Sequence, residues 1–252
     1  RCLDHRNPQP VMRSVLSVTL CLLLGGLSST AQQGTAVHAF LGACTGAPIP
    51  VGNVPEGASG SPQLGFVGGV GLDVPLATEW TFHVEPQYVR YGATFNTPLT
   101  NQPYIDKVLV TTPDGSTTIL EIETTFTGTA TGTFDTEYFQ VPLLVRYTLS
   151  PTWGVLAGGY VGWMVATRSN ATGVGQVGIR PETVERNLEF GERMEGVDHG
   201  VQVGAQWQVF DDLRLNMRGV YGLSSIFSED FRTVDRTVHN LFVHVTLGFR
   251  LL

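Results

Sequence analysis

Lysine occurs once in 252 residues, at Lys107, and acidic side chains outnumber basic ones 22 to 15. A chain this poor in cations has no basic face for a polyanion, which argues against nucleic acid as a partner. Cysteine is nearly as scarce. Of Cys2, Cys21 and Cys44, only Cys44 lies beyond the N-terminal leader described below. No internal disulfide is therefore expected, and packing and hydrogen bonds must hold the fold. Beyond that leader, unbroken apolar runs of helix length are missing too. The nearest approach is residues 139–167, FQVPLLVRYTLSPTWGVLAGGYVGWMVAT, which Pro142, Pro151 and several glycines interrupt.

The N-terminus reads as an export leader. Met12 and Arg13 precede an apolar run over 15–27, and Ser29, Thr30 and Ala31 supply the small residues of a cleavage site. The run is too short for the roughly 20 residues of a spanning helix. Cys21 is a poor lipid-anchor site, because the apolar stretch continues beyond it. Residues 1–11 then read as an upstream extension, 12–31 as a signal peptide and 32–252 as one domain. That domain keeps 12 basic and 21 acidic residues and most of the 30 glycines, a β-rich composition.

What the chain does have is alternation. In residues 139–149, Phe139, Val141, Leu143, Val145, Tyr147 and Leu149 share one face, with Gln140, Pro142, Leu144, Arg146 and Thr148 on the other. A period of two belongs to a strand. The next run sets Trp153, Val155, Ala157, Val161, Trp163 and Val165 against glycines, Tyr160 and Arg168. The same pattern recurs near residues 37–41, 66–74, 82–88, 201–209, 213–222 and 241–251. Eight strands result, each with an apolar face and a face of Gln, Gly, Arg, His and Asn. A soluble sandwich would turn Lys and Glu to water, whereas this polar face suits a packed lumen. Strands of about 9–11 residues with apolar side chains outward are the requirement for crossing lipid.

Connection lengths agree. Short turns around Pro75, at Ser150–Thr152 and at Asp211–Asp212 alternate with long connections at 44–63, 92–134, 169–198 and 224–236. Every long loop thus falls on one rim, as in outer-membrane barrels with short periplasmic turns. The expected fold is all-β, an eight-stranded antiparallel up-and-down transmembrane β-barrel with long external loops, in the bacterial outer membrane. Trp80, Tyr147 and Trp153 are placed in an aromatic girdle near the short turns, and Tyr91 and Trp163 in one toward the other rim.

Three segments resemble a known family: FVGGVGLDVPLATEWTFHVEPQYVRYG, EYFQVPLLVRYTLSPTWGVLAGGYVGWM and GAQWQVFDDLRLNMRGVYGLSSI. They look like the PorT-like outer-membrane β-barrel proteins of Bacteroidota. The shared strand pattern is matched by Tyr138, Val141, Pro142, Leu143, Leu144, Arg146 and Tyr147, and Pro86 matches a proline in the preceding strand. The Ala31–Gln32 junction is similar to that lineage's leaders. The resemblance covers about 37–252 and implies an eight-stranded barrel without an assigned activity, some members serving protein secretion. The terminal Phe249-Arg250-Leu251-Leu252 departs from the aromatic ending that the barrel-assembly machinery usually reads.

Eight strands enclose only enough space for side chains to fill. Asp73, His83, Glu85, Arg146, Arg214, Arg218, His244 and Arg250 are the candidate inward residues, expected to pair as a polar network that plugs the lumen. A narrow, gated transport channel or a secretion-system component is the alternative, with a lipid-modifying enzyme after it. His83 and Glu85 share a face, as a base and its orienting group would, but no serine sits on a matching face. His38 and His244 invite a metal reading that two histidines do not sustain. No catalysis, cofactor or metal is expected. The expected partners are outer-membrane lipids, the barrel-assembly machinery, and an extracellular or secretion partner met through the loops. Pro113-Asp114-Gly115 marks a hairpin turn that extends the wall above the membrane or adds two strands, the extension being favoured. A short helix is expected to start at Pro181, its acids forming a solvated face rather than a Ca²⁺ site.

Overall fold

The computed structural model describes residues 34–252, except 53, 55, 113, 179–181, 189–190, 192–193 and 229–236. The expected leader, residues 1–31, lies outside the described residues, as do Pro113 and Pro181.

The elements are β1 (Ala36–Val51), β2 (Ser59–Pro75), β3 (Trp80–Val84), β4 (Gln87–Thr111), β5 (Thr117–Thr148), β6 (Trp153–Thr167), β7 (Asn170–Val177), β8 (Val184–Leu188), β9 (Val197–Phe210), β10 (Leu213–Gly222) and β11 (Thr237–Arg250). All pairings are antiparallel, and β1 pairs both β2 and β11, which closes the sheet. β3 and β4 are one wall strand interrupted at Glu85–Pro86, since both pair β2 on one side and β5 on the other. Pro86 has no N–H to donate, which breaks the ladder there. Its carbonyl still accepts from Val70 N at 3.1 Å. Around the barrel the order is therefore β1, β2, β3/β4, β5, β6, β9, β10, β11: eight strands, as the alternation predicts.

Alternation fixes the two faces. Leu41, Val70, Leu143, Val155, Val203 and Met217 point outward and are exposed, while Phe40, Val67, Val89, Leu144, Leu156 and Phe242 are buried inside. An uninterrupted exposed apolar belt of this kind calls for lipid around it. The short turns share one rim and are closed by backbone bonds, Leu76 N to Trp80 O at 2.8 Å and Leu149 N to Trp153 O at 2.9 Å. β1 begins and β11 finishes at the same rim, where Val37 N bonds Leu252 O at 3.1 Å.

The long connections are mostly strand. β4 and β5 both run on past the barrel wall to Thr111 and Thr117, and the β7–β8 hairpin joins the outer part of β5 through pairs from Phe126–Val177 to Thr133–Asn170. The hairpin extends the wall and adds no strand to the ring. The expected helix after Pro181 is corrected: residues 184–188 form β8, paired with Ala171–Gly175. A one-turn helix would leave that edge of β7 without hydrogen bonds, and the pairing outweighs the local propensity. Arg168 is also corrected. A bulge leaves Val165 between the pairs Tyr138–Met164 and Glu137–Ala166, which reverses the parity beyond it. Arg168 therefore faces outward, 2.8 Å from Glu137.

The β1–β11 seam is tight at Gly42, where a Cβ would run into the Val245 carbonyl and the Thr246 Cα. Gly42→Val is expected to destabilise the barrel by about 1–3 kcal/mol. Urea titration of the fast-migrating unboiled band on a gel measures the loss, and an unchanged midpoint would show that the seam tolerates the side chain.

Candidate functional site in the barrel lumen

Period-two parity aims one residue in two at the barrel axis, and at the rim with the short turns those residues are charged. Asp73 on β2, His83 on β3, Glu85 at the break before β4, and Arg214 and Arg218 on β10 meet there. Arg214 Nη1 donates to Asp73 Oδ2 at 2.6 Å. Arg218 donates to both oxygens of Glu85, Nη2 to Oε1 at 2.9 Å. Since β10 stands four strands from β3/β4 in a ring of eight, the Arg218–Glu85 pair spans the diameter. His83 Nδ1 lies 2.7 Å from Asp73 Oδ1. His38, not among the predicted network residues, lies between both acids: Nδ1 is 3.2 Å from Asp73 and Nε2 is 3.4 Å from Glu85. A neutral ring donates to only one of them.

Three predicted residues make no ion pair with this cluster among the described residues. His244 is buried further in, its Nε2 3.0 Å from the Tyr91 hydroxyl. Arg146 is half-buried and donates to Thr81 Oγ1 at 3.5 Å. Arg250 is exposed at the mouth, where its Nε donates to the Leu252 carbonyl at 3.3 Å.

Above the ionic layer the lumen is aromatic and amide-lined. The Tyr91 and Phe242 rings stack at 3.8 Å, and Gln140 Nε2 donates to Tyr91 at 3.3 Å. Gln87 Nε2 donates to Gln140 Oε1 at 3.0 Å. Tyr91 is therefore a lumen residue and not a girdle residue. It shares odd parity with Gln87 and Val89 along an unbroken strand, which turns it inward. Nearer the outer rim, Asp198 accepts from Tyr160 at 2.9 Å, Asn240 at 3.0 Å and Ser224 at 2.9 Å. Gln87, Gln140, Asp198 and Asn240 lie on inward parity positions, the only signal by which the sequence marks them.

The remaining girdle residues face out. Trp80 and Tyr147 rings lie 4.8 Å apart, and Trp153 stacks on Trp207 at 5.8 Å near the short turns. Trp163 stacks on Phe139 at 6.3 Å toward the other rim. The alternation sets Trp207 on the apolar face without assigning it to the girdle, although its register partner is Trp153.

His38 and His244 lie on paired strands, but the residue opposite His244 is Cys44. Among the described residues no group of three His, Cys, Asp or Glu is placed to hold a metal ion.

The outer membrane protein β-barrel domain family matches residues 30–228 of this chain. The chain belongs to that family. Its place is accordingly the bacterial outer membrane, and β11 completes the ring beyond the matched segment. Among solved structures, Neisserial surface protein A is similar at 12% identity and a TM-score of 0.38, over 87% of this chain and 98% of its own. Ail, the attachment invasion locus protein of Yersinia pestis, is similar at 11% identity and a TM-score of 0.39, over 86% and 99%. The translocator domain of the autotransporter NalP from Neisseria meningitidis is similar at 12% identity and a TM-score of 0.27, over 95% and 96%. None of these likenesses is close enough to place a residue. No curated protein sequence matches.

Removing one partner of a buried ion pair strands the other. Arg218→Met is expected to cost about 3–5 kcal/mol, and Arg218→Met combined with Glu85→Gln to recover most of it. Urea unfolding in detergent micelles reads both, and equal losses in the single and double variants would mean that the pair does not hold the lumen together.

At the hairpin tip, outside the membrane, Thr112 Oγ1 donates to Asp114 Oδ1 at 2.6 Å, and Ser116 adds its N–H at 3.1 Å and its hydroxyl at 2.8 Å. These bonds, that of Thr112 foremost, hold the Asp114 carboxyl down at about 2. Because the folded value lies below the ordinary one, the turn's support is complete above the usual carboxylate range, about 4, and fades as pH falls through about 2. Carboxyl NMR titration is expected to find Asp114 ionised at pH 3, and a midpoint near the ordinary value would show the turn open.

Proposed function

We propose that this protein is a non-conducting outer-membrane barrel that acts through its outer extensions, without catalysis of its own. The observation that carries the reading is the bidentate Arg218–Glu85 pair across the lumen, capped by the Tyr91–Phe242 stack. A pore of this circumference holds little more than its own side chains. Charges paired across the axis leave no continuous path that an ion could take without breaking a buried pair.

The working surface is then the outer rim. β4 and β5 project as a two-stranded ribbon, and beyond the Ser59–Asn96 pair β4 has β5 as its single ladder partner among the described residues, with Asp106 3.3 Å from Arg186 of β8. Ile105, Leu109, Ile119 and Leu120 on this ribbon are exposed. An exposed apolar ribbon with an open edge is suited to meeting another protein through main-chain pairing and side-chain contact. An extracellular or secretion partner fits that surface, in keeping with the PorT-like resemblance.

The test is refolded protein in a planar bilayer, with boiled and unboiled gel mobility as the check on folding. A mobility shift without conductance is expected. A shift accompanied by discrete conductance steps would overturn the closed-lumen reading and put a narrow channel in its place.

A further inference from the structure

The charges at the short-turn end of the lumen do not balance. Arg146, Arg214 and Arg218 share that end with two carboxylates, Asp73 and Glu85. One positive charge is left over even with His38 and His83 neutral. Glu85 is taken by both terminal nitrogens of Arg218, and Asp73 by Arg214 with the two imidazoles beside it.

Arg146 is the cation left over. Its bond to Thr81 is long, 3.5 Å, and its buried Nε has no partner. No carboxylate stands within ion-pair distance of it among the described residues, although it lies within electrostatic reach of both Asp73 and Arg214. Arg214, only 7% exposed, likewise keeps its Nε and Nη2 without partners. The other lumen carboxylate does not help. Asp198 pairs with Gly162 of β6, whereas Arg146 pairs with Leu156, six residues back along the same strand. That is on the order of 20 Å, and Asp198 is already held by neutral donors.

We propose that Arg146 and Arg214 form a binding site for a small oxyanion of the phosphate class, entered from the periplasmic mouth of the barrel. A half-buried cation without a counter-charge is costly, and an anion from solution removes the cost. Guanidinium groups present planar pairs of donors that fit phosphate oxygens, and the Thr81 hydroxyl lies beside Arg146 as a further donor. The Arg146 stem packs over Gly154, where a Cβ would come within 3.1 Å of its Cγ and Cδ, so the glycine leaves the arginine room on that side. The inference holds whether or not the lumen conducts, so the conductance result neither supports nor removes it.

The test is calorimetric titration of inorganic phosphate into the refolded protein in nonionic detergent, at fixed ionic strength. Saturable binding at one site is expected. Arg146→Gln is expected to weaken it at least about tenfold, and Arg146→Lys, which keeps the charge but loses the fork, to weaken it less. Gel mobility confirms that each variant folds, and Arg146→Lys carries the test alone if the glutamine variant does not. Micelles doped with phosphatidic acid compete with phosphate if the natural occupant is a lipid headgroup, and leave the isotherm unchanged if it is a free anion. Absence of saturable heat, or a phosphate affinity untouched by both substitutions, would overturn the proposal.

Discussion

In hydrocarbon a peptide group without a partner costs several kcal/mol, about as much as an entire domain has to spare. The pairing of β1 with β11, fourteen residue pairs from His38–Arg250 to Val51–Thr237, removes the last open edges of the eight-stranded wall. The rest of the molecule depends on that seam. Once it is closed, each wall strand has an inside and an outside, and parity alone decides which residues meet lipid and which meet each other. The seam also sets the width of the lumen, because it fixes the number of strands at eight.

That width explains the company the charged residues keep. His38, Arg214 and Arg218 each lie against a glycine on a neighbouring strand, Gly71, Gly248 and Gly204, where a Cβ would collide with the inward side chain. These three glycines are the spaces into which the imidazole and the two arginine stems fold on their way across the axis. Glu85 gains its position from Pro86. The proline interrupts the ladder between β3 and β4, while Glu85 N still bonds Pro142 O at 3.1 Å, so the carboxylate stays fixed without the wall opening.

The eight wall strands were legible because lipid outside and side chains inside impose an uninterrupted period of two. What was not legible has specific causes. Tyr91 looked like a girdle residue from its distance to the turn, but parity turns it inward onto Phe242. Arg168 looked inward by parity, but the unpaired Val165 reverses the count, and nothing in the local sequence announces a bulge. Residues 184–188 carried a helix-start signal, and the open edge of β7 made them strand. The charged lumen residues were readable as inward, yet which acid meets which base depends on the stagger of the ring. The row from Arg214 through Gly248, Phe40, Gly69, Gln87, Gln140 and Gly162 to Asp198 arrives beside Ser224, ten residues beyond its start. No single strand contains that information.

The stagger also separates charge along the axis. Asp198 ends this row near the outer rim and is satisfied by a tyrosine, an asparagine and a serine, while the surplus cation, Arg146, stays at the short-turn end. A polar lumen has a second consequence for a chain that must be exported before it folds. Because half of each strand is polar or glycine, mean hydropathy over the whole chain is only +0.08. Residues 139–167 come nearest to a spanning helix, and there the prolines, the glycines and Arg146 keep the segment from reading as one. The residues that fill the barrel once it is closed are therefore the same residues that let its strands cross the inner membrane without stopping in it.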